Sequence, residues 1–241
     1  MLISFVVPMY NEEKRIDKTV SALNDYLSRR DFDHEVIFVD DGSKDQTLKT
    51  LSNLKPKFSH KVVTYANNKG KGFAVKTGAL SARGDYILLL DADMSTPIEE
   101  FDKFYPHLNQ NTVLIGTRKG LGAQVKKPQP FIRQKMGEVF TLLSSTLIVP
   151  GITDFTCGFK CFPKSAQKVF ERSVINRWSY DPEILFLAVK FGFKIHEIPI
   201  VWVNDDRTRV KLVNDTLLSF IELLKIRWNN WQGHYSLPQD V

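Results

Sequence analysis

Only two cysteines, Cys157 and Cys161, occur in the 241 residues of this chain. That excludes a disulfide-stapled scaffold and points to a reducing compartment. With no second pair of ligands beside them, the expectation is two small buried thiols. Long apolar runs are missing as well. The longest, residues 142–150 and 184–189, fall well short of the ~18–20 residues a membrane span needs. The N-terminus enters a strand directly, without the layout of a signal peptide. A phosphate-binding G-x-x-x-x-G-K-[ST] loop is absent, although Asn68-Lys69-Gly70-Lys71-Gly72 places two lysines at the start of a helix, where free amides attract phosphate. Lys76-Thr77-Gly78 has no S-x-x-K before it and reads as helix interior. No nucleic-acid motif accompanies the basic composition, and no repeat or low-complexity tract is present.

What the chain does have is 43% hydrophobic residues, enough for one ordinary core, and a net charge of +6 that is unevenly spread. Residues 118–172 carry ten cations (Arg118, Lys119, Lys126, Lys127, Arg133, Lys135, Lys160, Lys164, Lys168 and Arg172) against three acids, Glu138, Asp154 and Glu171. A basic middle suits an anionic partner such as a phosphate or an acidic membrane surface.

Strand and helix patterns alternate through the first half. Strands are expected at 3–7, 35–39, 62–65, 86–90 and 113–116, and helices at 16–27, 45–54, 70–82 and 97–108. Such alternation predicts an α/β fold, a mostly parallel sheet flanked by helices. In the second half, 119–130 reads as a mobile loop and 131–147 as a helix. A turn leads into a strand over 154–162, and 181–191 is helical. A strand over 195–203 is interrupted by Pro199 and so belongs on an edge. The chain closes on an amphipathic helix, 212–231, whose stripe of Leu217, Ile221, Leu224 and Trp228, with Leu218 beside it, is expected to face mostly the core. The aromatic end, Trp228 and Trp231, and the 131–147 helix are candidates for a membrane interface.

Three strand ends carry the chemistry. Asp91-Ala92-Asp93 follows the buried run Tyr86-Ile87-Leu88-Leu89-Leu90, where open α/β sheets place their ligands. Two carboxylates one residue apart repel unless a divalent cation joins them, and that cation in turn holds a diphosphate. Pro8-Met9-Tyr10-Asn11-Glu12 ends the first strand with a ring that can stack on a base, and with Asn11 as a helix cap. Asp40-Asp41-Gly42-Ser43 ends the second, with a carboxylate that can accept from a pyrimidine N–H and Ser43 as a helix cap.

In order, Val-Pro-x-Tyr-Asn-Glu-Glu, Val-Asp-Asp-Gly-Ser, Asn-x-Gly-Lys-Gly, Asp-Ala-Asp and Gly-Thr-Arg resemble glycosyltransferase family 2, whose nucleotide-sugar-binding fold is the Rossmann-like GT-A fold. Gln129-Pro130 with Arg133, and 153–160, resemble the polyprenyl-phosphate sugar transferases. Ser95-Thr96-Pro97 and Ile226-Arg227-Trp228-Asn229 are most similar to the dolichyl-phosphate β-glucosyltransferase branch. The resemblance implies one GT-A domain over 1–241, with 1–118 binding the nucleotide sugar and 119–241 the acceptor. It implies that Pro8, Tyr10, Glu12, Asp40 and Asp41 hold the nucleoside, and that Lys71, Asp91 and Ala92 also line the donor site. Asp91 faces the ribose or a metal-bound water, and Asp93 ligates Mg²⁺ or Mn²⁺ directly. Arg118 and Arg133 face the phosphates of donor or acceptor, and Arg207 and Arg209 close over the diphosphate. Ser95 and Gly137 stand where related mannosyltransferases carry Gln and often Ser, which weighs against mannose more than against transfer.

The implied activity is inverting transfer of glucose from UDP-glucose to a polyprenyl phosphate at the cytoplasmic face of a membrane. Transfer from GDP-mannose, transfer to a glycan hydroxyl, and an inactive nucleotide-sugar-binding module remain alternatives. A lipid phosphate, with a second pKa of about 6, attacks without a base. A hydroxyl needs one, and Asp154, otherwise a turn residue, is the candidate.

Overall fold

Alternating residues of strand β1 (Leu2–Met9) serve two cores: Ile3, Phe5 and Val7 pack on one face of the sheet and Val6 on the other. Period-two burial of this kind is what a strand covered on both sides requires. In the computed structural model, which describes residues 1–205 and 212–236, seven strands form one sheet in the order β3-β2-β1-β4-β7-β5-β8. These are β2 (Asp33–Asp40), β3 (His60–Thr64), β4 (Tyr86–Leu89), β5 (Thr112–Thr117), β7 (Lys160–Pro163) and β8 (Lys194–Pro199). All run parallel except β7, which lies antiparallel between β4 and β5. The architecture is therefore the expected α/β sheet flanked by helices, and residues from both sides of position 118 build it. Arg207, Arg209 and the side chain of Leu217 fall outside the described residues.

Helix α1 (Ile16–Leu27) buries Ile16, Val20, Leu23 and Leu27 against one face, with Phe101 and Phe104 beside it. Helices α3 (Lys71–Ser81), α6 (Gln167–Arg172) and α7 (Tyr180–Lys190) cover the other. Helix α2 is Thr47–Asn53. Neither expected cap operates: Asn11 Oδ1 accepts from the Lys44 amide and Ser43 Oγ from the Asn11 amide, so the two residues lock strand ends together. Asp45 takes the amide and hydroxyl of Thr47 instead.

Other expectations are corrected as well. The stretch 97–108 is not one helix but the 3-10 turn Ile98–Glu100, the short α4 (Phe101–Phe104) and a second 3-10 turn, Tyr105–His107. Pro106 has no amide to donate backward, so the helix cannot continue. The segment 119–130 is not all loop: Gln124–Lys127 (β6) pairs in parallel with Val201–Val203 (β9). Pro199 divides the 194–203 strand, leaving β8 on the sheet edge and freeing β9 for this second pairing. Helix α6 is short and has little periodicity, so no sequence signal separates it from loop.

The last concerns α8 (Leu212–Trp231). Ser219, Leu223, Ile226 and Asn229 form its buried side, while Leu218, Ile221, Leu224, Trp228 and Trp231 point outward, Trp231 being 76% exposed. Apolar residues occupy two sides of this helix, so packing one of them against the core leaves the other stripe in solvent. Helix α5 (Phe131–Leu147), which packs on α8, does the same with Phe131, Ile132, Val139 and Leu142. Among the described residues no helix is long and apolar enough to cross a membrane.

Candidate active site

The carboxyl ends of β1, β2, β4 and β5 converge, and the residues singled out in the sequence sit there. Asp40 and Asp41, adjacent in the chain, do different work. Asp41 is consumed by the 65–70 loop: its carboxylate accepts from Tyr65 Oη at 2.8 Å, Asn68 Nδ2 at 2.7 Å and the amides of Lys69 and Gly70 at 2.8 and 2.9 Å. Gly42 makes this possible. Its φ is +68°, and a Cβ there would lie 2.7 Å from the backbone of Asn67 and Asn68. Asp40 Oδ2 accepts from the Ser43 amide and Thr64 Oγ1, while its Oδ1 is buried with no partner among the described residues. A buried lone acceptor is costly to a fold and invites a donor from a ligand. Beside it, Tyr10 is half-buried, and the carboxylate of Glu12 is held by Arg15 at 2.9 Å. Arg15 in turn reaches Asp205 at 3.1 Å. Pro8 lies within β1.

At the end of β4 the two aspartates diverge electrostatically. Asp91 pairs with Lys71 at 2.6 Å. Burial alone would raise its carboxyl, but the charge and hydrogen bond of Lys71, then Lys160 and Arg118, hold it below the usual range. Asp93 is pushed up, first by burial and then by the charge of Asp91; the Ser95 amide, donating to Oδ1 at 2.8 Å, offsets this in part. Ala92 is buried, its carbonyl accepting from Thr19 Oγ1 at 2.6 Å. Asp93 opens on a cleft of about 260 Å³ that Ser95, Lys18, Lys127 and Asp205 also line.

Arg118, at the end of β5, grips Asp154 with Nε at 2.7 Å and Nη2 at 2.8 Å, and its Nη2 also donates to Thr156 Oγ1 at 2.7 Å. Its guanidinium lies 5.2 Å from the ring centre of Trp202. Burial would raise Asp154, yet Arg118 outweighs it and keeps this carboxyl low. Arg133, on α5, forms no ion pair with the described residues. Desolvation and the neighbouring charge of Arg118 lower its pKa, while Asp93 pulls the other way.

The family model of glycosyl transferase family 2 matches residues 4–169. The chain belongs to that family and is a glycosyltransferase. Among curated relatives, the human dolichyl-phosphate beta-glucosyltransferase is 34% identical, the alignment covering 98% of this chain and 78% of the relative. The Saccharomyces cerevisiae enzyme of the same name is 30% identical over 98% and 77%. Among solved structures, glucosyl-3-phosphoglycerate synthase from Mycobacterium tuberculosis, in complex with Mn²⁺, UDP and glucosyl-3-phosphoglycerate, superposes with a TM-score of 0.71 at 18% identity. That match covers 99% of this chain and 81% of that one. At such identity the likeness establishes the shared GT-A fold.

In this glycosyltransferase the donor set at Asp91 and Asp93 fits a hard dication. Both ligands are carboxylates, and the raised Asp93 is the one that a cation would relieve. No group of three or more acids, histidines or cysteines that could hold a metal ion exists among the described residues, so the remaining positions would fall to diphosphate and water, as magnesium prefers. Lys71 holds Asp91, which leaves Asp93 as the better placed direct ligand.

One supporting residue carries no functional signal in the sequence. Glu197 on β8 accepts from the amides of Thr153 and Asp154 and from Thr153 Oγ1, and so fixes the turn that presents Asp154 to Arg118. Its strand position gives no hint. Lys160 does give one: it is a lone cation within the apolar stretch 155–162. Cys157 and Cys161 are buried thiols, and burial pushes Cys157 up to about 11.

Proposed function

We propose that the protein transfers glucose from UDP-glucose to a polyprenyl phosphate, with inversion, at the cytoplasmic face of a membrane. The observation that carries this reading is the pair Arg118 and Arg133 beside Asp93. Arg133 feels the charges of both Arg118 and Asp93 and forms no ion pair among the described residues, and a dianionic phosphate is the acceptor that two such neighbouring guanidiniums attract. A hydroxyl acceptor would need a free carboxylate base. Of the nearby acids, Asp154 is held by Arg118, Asp91 by Lys71 and Asp205 by Arg15, and Asp93 is assigned to the dication. Asp154 accordingly acts by aiming Arg118. The relatives' names favour glucose and a dolichyl-type lipid, and Ser95 and Gly137 weigh against mannose.

Each residue's part follows from charge and position. Asp40 Oδ1 accepts from the nucleobase, and Tyr10 stacks on it. Lys71, paired with Asp91, adds positive charge on the diphosphate side, while the start of α3 itself is covered, its Phe73 amide donating to the Asn176 carbonyl. Mg²⁺ or Mn²⁺, when bound through Asp93 with Asp91 behind it, supplies the positive charge that stabilises the departing UDP. Arg118 and Arg133 hold the incoming phosphate against an anionic donor. Arg207 and Arg209, outside the described residues, are assigned to closing over the diphosphate. Attack from the face opposite the leaving group gives a β-linked product.

The exposed apolar faces of α5 and α8 are assigned to the bilayer in which the acceptor resides. Phe131 and Ile132 neighbour Arg133 in sequence, so one helix joins the lipid-facing surface to the phosphate site, and Lys135 and Arg227 add cations for anionic headgroups.

One assay tests donor and surface together. With Mn²⁺ and polyprenyl phosphate in anionic vesicles, glucosyl lipid is expected from UDP-glucose at a rate at least about tenfold above mannosyl lipid from GDP-mannose. Replacing Trp228 and Trp231 by Ala should depress the rate on vesicles while sparing it on detergent-dispersed acceptor. Preference for GDP-mannose would overturn the donor assignment, and equal loss in both formats the membrane assignment.

A further inference from the structure

Lys160 is 0% exposed, at the start of β7, an interior strand of the sheet. Its register partners are Leu89, two residues before Asp91, and Ile115, three before Arg118. The side chain therefore starts between the two strands that deliver the cleft's acid and its arginine. Its ammonium group donates to the Phe155 carbonyl at 3.0 Å, to the Cys157 carbonyl, and to Asp181 Oδ1 at 2.5 Å, the last in the first turn of α7. All three protons are used, and two of them hold one loop.

That loop is the wall behind Asp91. A Cβ on Gly158 would lie 2.3 Å from Asp91 Oδ2 and 2.7 Å from Oδ1, so the backbone at 158 is pressed directly on the carboxylate. The Phe159 carbonyl takes the Gly116 amide at 2.8 Å, tying the same loop to β5. An apolar residue of similar length would serve a core as well as a buried ion pair does, and often better. The fold alone gives no reason for a cation at this position; the geometry of the loop does.

We infer that Lys160 is a positioning residue for sugar transfer: by tethering the 155–158 backbone to Asp181 it keeps Gly158 against Asp91, and so sets where that carboxylate stands relative to Asp93 and Arg118. This rests on the reading of the Asp91–Asp93 cleft as the transfer site. Lys160 touches no substrate, and its effect passes entirely through the loop.

The test compares wild type with Lys160→Met and Gly158→Ala, using hydrogen exchange and steady-state kinetics with UDP-glucose and polyprenyl phosphate. In Lys160→Met, amides 155–158 should exchange at least about tenfold faster while those of α3 stay unchanged. kcat should fall about 100-fold, the scale of an ångström's misplacement, with KM for the donor within about threefold. Gly158→Ala moves the loop off Asp91 with the Lys160 ammonium intact and should reproduce the fall in kcat. Unchanged exchange in Lys160→Met, or kcat within about threefold of wild type in either folded variant, would overturn the proposal. If Lys160→Met fails to fold, Gly158→Ala decides alone. Should wild type make no glucosyl lipid, the acceptor reading fails. Exchange then decides the role of Lys160, with amides 155–158 of Lys160→Met protected as in wild type counting against it.

Discussion

Asp93→Ala is expected to lower kcat by about 10²–10³-fold, the loss typical when a group that stabilises developing charge is removed. Its effect on stability should have the opposite sign. The Asp93 carboxyl is raised by burial and by Asp91, so its ionised form works against the fold at neutral pH. With a native pKa above the unfolded one, the protein gains stability as pH falls through that native value. Ala removes the repulsion, and the melting temperature of the variant should equal or exceed that of wild type near neutrality. Activity lost together with the fold would make Asp93 a structural residue. Activity retained would remove the metal from the account.

Asp154→Asn is the second large effect, and here stability and rate should fall together. Asp154 is buried and grips Arg118 through both carboxylate oxygens, so Asn leaves a guanidinium without its countercharge. Breaking a buried pair costs about 3–5 kcal/mol, and the lower end applies because Arg118 keeps 21% of its side chain in water. The native pKa is depressed, so the carboxylate's contribution is complete above the unfolded value of about 3.9 and fades as pH falls through the native one. Urea melts of wild type and variant should therefore differ near neutral pH and converge in acid. kcat should fall about 100-fold as Arg118 loses its aim. A rate that falls while the pH profile acquires a new basic limb would instead mark Asp154 as a proton acceptor and favour a hydroxyl substrate.

Much of this site is legible in the amino-acid sequence. Asp91 and Asp93 announce themselves by following a wholly apolar strand, and strand ends in an open α/β sheet are where ligands bind. Arg118 is legible through the Gly-Thr-Arg resemblance. The separate roles of Asp40 and Asp41 are not, because adjacency in sequence says nothing of which carboxylate the 65–70 loop consumes. Asp154 reads equally as base or turn residue. Its salt bridge to Arg118 spans 36 residues, and no local pattern encodes a contact of that range. The outward stripe of α8 escapes the sequence for a related reason: a helix with apolar residues on two sides does not declare which side the core takes. Likewise β6 is a strand only because Pro199 releases β9 to pair with it.

The central physical claim is that a dication at Asp93 lets two anions occupy one cleft, and binding of the departing nucleotide tests it without any acceptor. UDP titrated calorimetrically into the protein should bind at least about tenfold tighter in Mn²⁺ than in chelator, with the gain absent in Asp93→Ala. Equal affinity with and without the metal, or a metal-dependent gain that survives Asp93→Ala, would contradict the account.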